Sequence, residues 1–204
     1  MMKKQSFVPL FVTNYFGTLN DNFLKGLASF IVIDWIADPA MKPVFMGVVA
    51  GMLVLPFIVC SPLADRLTVI FPKRRVLMLA KAAEFPLVAL GILGFVCHSA
   101  PLVVASVALM GLQSSLYSPS KYALVRDVGG ADRISTGMGG MEGIAFLGML
   151  SGTIAAAWTV DHAPGWVQYA LLVAFAAAGF GASLAIRADE EPNRAVHSVN
   201  PVRY

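Results

Sequence analysis

Two charged residues, Asp21 and Lys25, lie one helical turn apart inside an apolar stretch that runs from about residue 7 to residue 36. A carboxylate or an ammonium near the middle of a bilayer costs at least ~2.5 kcal/mol on insertion scales, so such groups are rarely retained without a function. At 3.6 residues per turn they belong to one polar helical stripe, formed by Asn14, Thr18, Asp21, Lys25 and Ser29. We expect this stripe to face a cavity or another helix. The alternative is a salt bridge between Asp21 and Lys25 that only neutralises two charges.

A second polar set marks the end of the fourth apolar stretch. Gln113, Tyr117 and Lys121 follow one another at intervals of four residues, which places them on one helical face. Pro119 removes a backbone hydrogen bond and is expected to kink or loosen the helix there. An ammonium on a loosened helix end suits an anionic head group. The alternative is a Lys121 that simply extends to the membrane interface.

The fifth apolar stretch combines many glycines with one carboxylate. Glu142 lies about two turns inside this stretch, where an unpaired carboxylate is costly. We expect it to be protonated, to pair with a cation such as Lys121, or to contact a ligand. Glycines spaced four residues apart also let helix backbones approach closely in lipid. Such pairs are Gly47/Gly51, Gly139/Gly143 and Gly148/Gly152.

The overall composition is that of a membrane protein. Charged residues make up 13% of the 204 residues and apolar residues 57%, with a mean hydropathy of +0.72. A soluble domain carries about 25% charged residues, so ordinary folding in water is excluded. The formal net charge of +3 suits anionic lipid head groups, and nothing in the sequence calls for nucleic acid as a partner.

Six stretches are long enough to cross the ~30 Å hydrocarbon core of a bilayer. They cover residues 7–36, 44–63, 76–97, 102–122, 134–160 and 166–186. The pattern predicts an all-α membrane protein, with a six-transmembrane-helix bundle at residues 1–187 and a short polar tail at residues 188–204.

The basic residues predict the orientation of these spans. Of the 15 lysines and arginines, Lys25 lies inside a span and Lys42 on one side, and we assign the others to the opposite side, Lys81 and Lys121 included. Positive charge accumulates on the cytoplasmic side of membrane proteins. Both termini are therefore predicted to be cytoplasmic.

The sequence offers little for catalysis or metal binding. Cys60 and Cys97 stand in apolar runs, without a C-x-x-C pattern or a cluster of cysteine and histidine. His98 and His162 have no partner at a useful spacing beyond Asp161. We therefore expect neither an enzyme nor a metal or cofactor site.

The segment between the second and third spans carries a further charged pattern. It reads Ser61-Pro62-Leu63-Ala64-Asp65-Arg66, followed after six residues by Lys73-Arg74-Arg75. In this the chain resembles the major facilitator superfamily, whose loop at this position has a pattern similar to G-x-L-A-D-R-x-G-R-R. Asp65, Arg66 and Arg75 match that pattern, while Ser61 replaces a glycine and the loop is longer. The resemblance implies charge contacts between helix ends that act as a gate.

Three other strings resemble the lysophospholipid transporter family within that superfamily. They are Asn20-Asp21-Asn22 with Leu24-Lys25, Tyr117-Ser118-Pro119-Ser120-Lys121-Tyr122, and Gly140-Met141-Glu142. The resemblance covers nearly the whole chain. It implies movement of lysophospholipids, especially lysophosphatidylethanolamine, across the bacterial cytoplasmic (inner) membrane to an acyltransferase.

Charge complementarity suggests how such a lipid would bind. Asp21 would meet the ammonium of an ethanolamine head group, and Lys121 would meet the phosphate. Asn22 and Lys25 would hold the site together. Gln113, Tyr117 and Glu142 complete the candidate substrate-binding set.

The resemblance also raises a question of completeness. Members of the family have twelve spans in two six-helix halves with the cavity between them, and this chain resembles the N-terminal half. We expect a fragment of a longer transporter, a half with a separately encoded partner, or a homodimer, because six spans offer the polar stripe too few partners. The alternatives are a major facilitator carrier of a small solute or drug, and a non-transporting membrane scaffold or remnant.

Overall fold

The computed structural model describes residues 6–188 of the chain, without the side chains of residues 67–69. Those residues form six α-helices with short connections. The helices are α1 (Val8–Ile31), α2 (Met41–Ile70), α3 (Lys73–Val96), α4 (Ala100–Gly129), α5 (Ile134–His162) and α6 (Gly165–Leu184). The predicted all-α class is confirmed. Apart from Ala188, the predicted polar tail lies outside the described residues.

Five of the helical stretches in the described part are long and apolar enough to cross a membrane. They are Met41–Arg66, Lys73–Val96, Ala100–Gly129, Ala131–His162 and Gly165–Leu184. The 24 residues of α1 would also span about 36 Å. However, α1 is less apolar, because Asp21, Lys25 and three asparagines lie within it. Contacts with α4, α5 and α6 place many of its polar side chains against protein.

The bundle is organised around α1 and α4. α1 packs most extensively on α5 and then on α6, while α2 and α3 flank α4, and α6 connects α1 to α3. Three side chains of α1, Phe23, Leu24 and Leu27, are completely buried in a core that also contains Met110 of α4 and Leu172 of α6. The two helices with the predicted polar sets therefore face each other inside the bundle.

The predicted glycine pairs differ in what they contact. A Cβ atom added at Gly148 would lie 2.8 Å from the carbonyl oxygen of Tyr15, and one at Gly152 would collide with that of Leu19. This pair lets α5 approach α1 closely, as predicted. At Gly47/Gly51 and Gly139/Gly143 an added Cβ would meet open space, so the expected tight packing is wrong for these pairs within the described bundle.

The connection between α2 and α3 is much shorter than predicted. α2 continues through Pro56 and Pro62 to Ile70, so only residues 71 and 72 join it to α3. Asp65 and Arg66, which we expected in a loop, lie exposed on α2. The helix continues because leucine, alanine and arginine are good helix formers. It ends where Pro72 disfavours a helical conformation for the preceding residue.

The basic segment at the start of α3 does connect two helix ends, but the contact is not made by the residues that match the superfamily pattern. No ion pair joins Asp65, Arg66 or Arg75 to one another in the described part of the chain. Instead, Lys73 Nζ lies 2.6 Å from Asp127 Oδ2 at the end of α4. The gating role of the three predicted residues stays a prediction.

Candidate substrate-binding site

Asp21 is held by α4 and not by its neighbour on α1. Ser114 Oγ donates a hydrogen bond of 2.7 Å to Asp21 Oδ2. Lys25 Nζ donates to Asn22 Oδ1 at 2.9 Å, and Asn22 Nδ2 donates to the carbonyl oxygen of Thr18 at 2.8 Å. The salt bridge between Asp21 and Lys25 in the alternative is not formed, since no contact of 4.0 Å or less joins the two side chains.

The Asp21 carboxylate keeps most of its capacity to accept hydrogen bonds. An ionised carboxylate has about four lone-pair sites, and the hydrogen bond from Ser114 uses one of them. Within residues 6–188, the ion pairs closer than 4.0 Å are Lys73–Asp127 and Lys81–Glu84, so Asp21 has no cation at that distance. Asp21 is also only half-buried. This carboxylate can accept a ligand that carries N–H donors.

Lys121 points into the bundle. Its Nζ donates a hydrogen bond of 2.9 Å to Asn14 Oδ1 on α1, and Asn14 Nδ2 donates to the carbonyl oxygen of Met141 on α5 at 2.9 Å. The ammonium also lies 5.9 Å from the ring centroid of Tyr117 and 5.1 Å from that of Tyr122. These contacts contradict the alternative in which Lys121 extends to the interface. The ammonium retains further donors for an anionic group, because it has three.

Gln113 and Tyr117 border an apolar cavity between α3 and α4. Gln113 Nε2 donates a hydrogen bond of 2.7 Å to the carbonyl oxygen of Ala80. The cavity has a volume of about 540 Å³ and is lined mainly by apolar side chains, with Arg75 among them. This volume falls within the range of ligand pockets, about 300–1,000 Å³. Arg75, a predicted gating residue, therefore lines the same cavity as Gln113 and Tyr117, two predicted binding residues. The sequence did not indicate this proximity.

Glu142 lies apart from these residues on the exposed surface of α5. It accepts a hydrogen bond of 2.6 Å from the hydroxyl group of Tyr122. The ion pair with Lys121, one of the three alternatives for Glu142, is not formed, since no contact of 4.0 Å or less joins the two side chains. Glu142 is thus linked to the lysine only indirectly, through the neighbouring tyrosine.

A buried ion pair between Lys81 and Glu84 was missed. Both side chains are 1% exposed, and Lys81 Nζ lies 2.7 Å from Glu84 Oε2. Asn20 Nδ2 of α1 donates to Glu84 Oε1 at 2.7 Å. The assignment of Lys81 to the cytoplasmic surface is wrong, because a lysine and a glutamate three residues apart can enter the bundle as a pair. The spacing of these two charges inside an apolar stretch was the sequence signal that could have predicted the buried ion pair.

The bundle satisfies its own polar groups better than expected. Among the described residues, Asn20 Oδ1 is one of two buried side-chain atoms without a hydrogen-bond partner. Asn14 and Asp21 find partners on α4 and α5. These two stripe residues therefore find partners inside the bundle. The expectation that a second six-helix unit covers the stripe stays a prediction.

Comparison with known proteins identifies relatives. Residues 6–202 match the family model of the Major Facilitator Superfamily. The chain is 33% identical over 152 residues to the Lysophospholipid transporter LplT of Salmonella schwarzengrund, a match that covers 73% of this chain and 32% of that protein. It is 28% identical over 155 residues to the Lysophospholipid transporter LplT of Photorhabdus laumondii, covering 74% of this chain and 35% of that protein.

The matches cover most of this chain but only part of each relative. The matched region corresponds to about a third of the length of these curated relatives. No solved structure shows a significant match to the chain. The family match nevertheless extends over nearly all of the sequence and agrees with the six-helix architecture. This all-helical membrane chain belongs to the Major Facilitator Superfamily.

Proposed function

We propose that this chain binds lysophospholipids and takes part in moving them across the bacterial cytoplasmic membrane. The observation that carries the proposal is a half-buried carboxylate, Asp21, which accepts a hydrogen bond from Ser114 and has no cation within 4.0 Å. A carboxylate left in this state inside a span is costly unless a ligand uses it. An ethanolamine ammonium offers the matching charge and three donors.

The opposite end of a zwitterionic head group has its own partner. Lys121 turns its ammonium toward α1, where it can donate charge-assisted hydrogen bonds to a phosphate. Asn14 and Asp21 are seven positions apart on α1, and Ser114 and Lys121 are seven positions apart on α4, which is two helical turns or about 10 Å. We therefore place the ammonium at Asp21 and the phosphate on the side of Lys121.

The apolar cavity suits the remaining part of the substrate. It extends between α3 and α4 from Gln113 and Tyr117 toward Phe71 and Leu79, and its lining is mainly apolar. A single acyl chain would bury apolar surface there at about 25 cal/mol per Å². A small water-soluble solute would gain little from such a lining. The cavity thus favours an amphiphile over a polar solute.

Transport requires a second six-helix unit under this proposal. Superfamily cavities lie between two halves, and the curated relatives are about three times as long as the matched region. The open glycine pairs on α2 and α5 leave room for close helix contacts with such a unit. The unit is another copy of the chain, a separately encoded half, or the second half of a longer transporter of which this sequence is a fragment. An acyltransferase that consumes the lysophospholipid is a further expected partner.

Uptake measurements in liposomes test the proposal. The protein, with whatever co-purifies from its native membrane, should transfer lysophosphatidylethanolamine and leave a water-soluble sugar outside. Asp21→Asn should lower lipid uptake at least tenfold, because a charge-assisted hydrogen bond is lost. The matched control is Asp34→Asn, which alters an exposed aspartate outside the cluster and should leave uptake unchanged. Undiminished uptake by Asp21→Asn would remove Asp21 from the site.

A further inference from the structure

The Lys81–Glu84 ion pair has no part in the site proposed above, although it lies beside it. Both side chains belong to α3 and are almost completely buried. Asn20 of α1, whose side chain is also fully buried, binds the other oxygen of Glu84. A buried ion pair contributes little net stability compared with apolar residues of the same size. The retention of two charges here therefore invites a functional reason.

The Lys81 side chain contacts two residues, Gly17 and Tyr117, that lie about one helical turn from Asp21 or from its partner Ser114. On α1, the side chain occupies the space that a Cβ atom at Gly17 would need, and Gly17 precedes Asp21 by four residues. On α4, Lys81 Nζ lies 5.4 Å from the ring centroid of Tyr117, three residues after the Ser114 that binds Asp21. Residues one turn apart on a helix are neighbours, with Cβ atoms about 5–6 Å apart.

Lys81 thus has two carboxylates within the reach of a flexible side chain. Opposite charges attract strongly where water is excluded, and a lysine can rotate about four side-chain bonds. In the structure it pairs with Glu84, which Asn20 holds in place. Without the charge of Glu84, Asp21 would be the nearest remaining carboxylate that could compensate the buried ammonium. An Asp21 paired with Lys81 would no longer be available to a substrate.

We propose that Glu84 is a positioning residue that determines head-group selectivity. By retaining the ammonium of Lys81, Glu84 leaves the negative charge of Asp21 available to the ammonium of a zwitterionic lysophospholipid. This inference rests on the proposed function, since it assumes that Asp21 binds the head group. Glu84 itself touches no substrate, and it acts through Lys81.

The test is the ratio of two dissociation constants. Protein purified from native membranes with its co-purifying partners is placed in nanodiscs, and binding of lysophosphatidylethanolamine is compared with binding of lysophosphatidylglycerol, which lacks the ammonium. Glu84→Gln should lower the preference for the ethanolamine lipid about tenfold, as expected for one charge-assisted hydrogen bond. Lys81→Gln should keep or raise the preference, since the ammonium of Lys81 no longer competes for Asp21.

The double variant, which combines Lys81→Gln with Glu84→Gln, completes a double-mutant cycle. It should regain most of the wild-type preference, because the competing ammonium is absent. A purely structural role predicts a different result, namely that all three variants weaken binding of both lipids by the same factor and leave the ratio unchanged. That result would overturn the proposal. If Glu84→Gln does not fold, a loss of preference in Lys81→Gln or in the double variant overturns it equally.

The same measurements separate this inference from the proposed function. A wild-type protein without any preference for the ethanolamine lipid, or an Asp21→Asn variant that keeps the preference, refutes the proposed role of Asp21. A wild-type preference that is lost in Asp21→Asn but kept in Glu84→Gln refutes only the role of Glu84. Thermal unfolding of each variant in detergent shows which of them are folded.

Discussion

Ser114 Oγ lies 2.7 Å from Asp21 Oδ2, so that a serine of α4 binds the carboxylate at the middle of α1. The same hydroxyl group lies 3.3 Å from Gln113 Oε1. Gln113 in turn donates to the backbone of α3. This chain of contacts joins three helices at one level of the bundle. It orients Asp21 through a neutral hydroxyl group, whereas a lysine at the position of Ser114 would form an ion pair with the carboxyl group.

Ser114→Ala is predicted to weaken substrate binding more than it weakens the fold. Loss of the hydroxyl group leaves Asp21 free to rotate away from the position where it meets a head group. We expect the KM for lysophosphatidylethanolamine uptake to rise about tenfold, the effect of one hydrogen bond to a charged group. Ser115→Ala is the matched control, because that hydroxyl group binds the Leu112 carbonyl oxygen of its own helix and no other group of residues 6–188. Equal KM values for the two variants would contradict the prediction.

Gly152→Ala is predicted to destabilise the bundle. The added methyl group would collide with the backbone of Leu19, and rigid backbone cannot move aside as a flexible side chain can. Such overpacking costs about 1–3 kcal/mol, which thermal unfolding in detergent can measure. Gly181→Ala, on α6, is the control, because its methyl group would meet open space. A melting temperature lowered equally by both variants would show that α5 packs differently.

The orientation of the spans can be tested with a native cysteine. The thiol of Cys97 is exposed just beyond the end of α3, on the side predicted to face outward. In a Cys60→Ser background, an impermeant maleimide added to intact cells should label Cys97. A cysteine in place of the exposed Arg75, with Cys97→Ser, should react only after the membrane is opened. The reverse pattern would place the termini outside.

A second six-helix unit should contact the open glycine faces. A single cysteine at Gly143 or Gly51, in a chain without native cysteines, should crosslink to that unit in native membranes, because an added side chain there meets no atom of the described bundle. A product of twice the chain mass indicates a homodimer, and a product of another mass indicates a separate half. Leu93→Cys, on the exposed surface of α3, is the control. A chain that transports lysophospholipid without any crosslink at these positions would refute this arrangement.

The sequence alone was sufficient to predict the class of protein, the helices and the charged residues of the candidate site. Apolar stretches of about 20 residues predict spans because a bilayer cannot satisfy exposed backbone groups. Those stretches correspond to the six helices, with boundaries that differ by several residues. Asp21 and Lys121 were recognisable because a charge is conspicuous in an apolar stretch. These inferences depend on properties that vary along the chain and need no knowledge of which helices meet.

Only the tertiary structure decided how the charges pair. Helical spacing allowed Asp21 to pair with Lys25, and charge alone allowed Glu142 to pair with Lys121, yet the observed partners are Ser114 and Tyr122. Lys81 appeared to belong to the basic surface until the packing of α3 against α1 and α4 placed it beside Glu84. Pairing depends on distances between residues far apart in sequence. A carboxylate in an apolar interior takes the donor that helix packing brings to it, and that donor is not encoded by the spacing along its own helix.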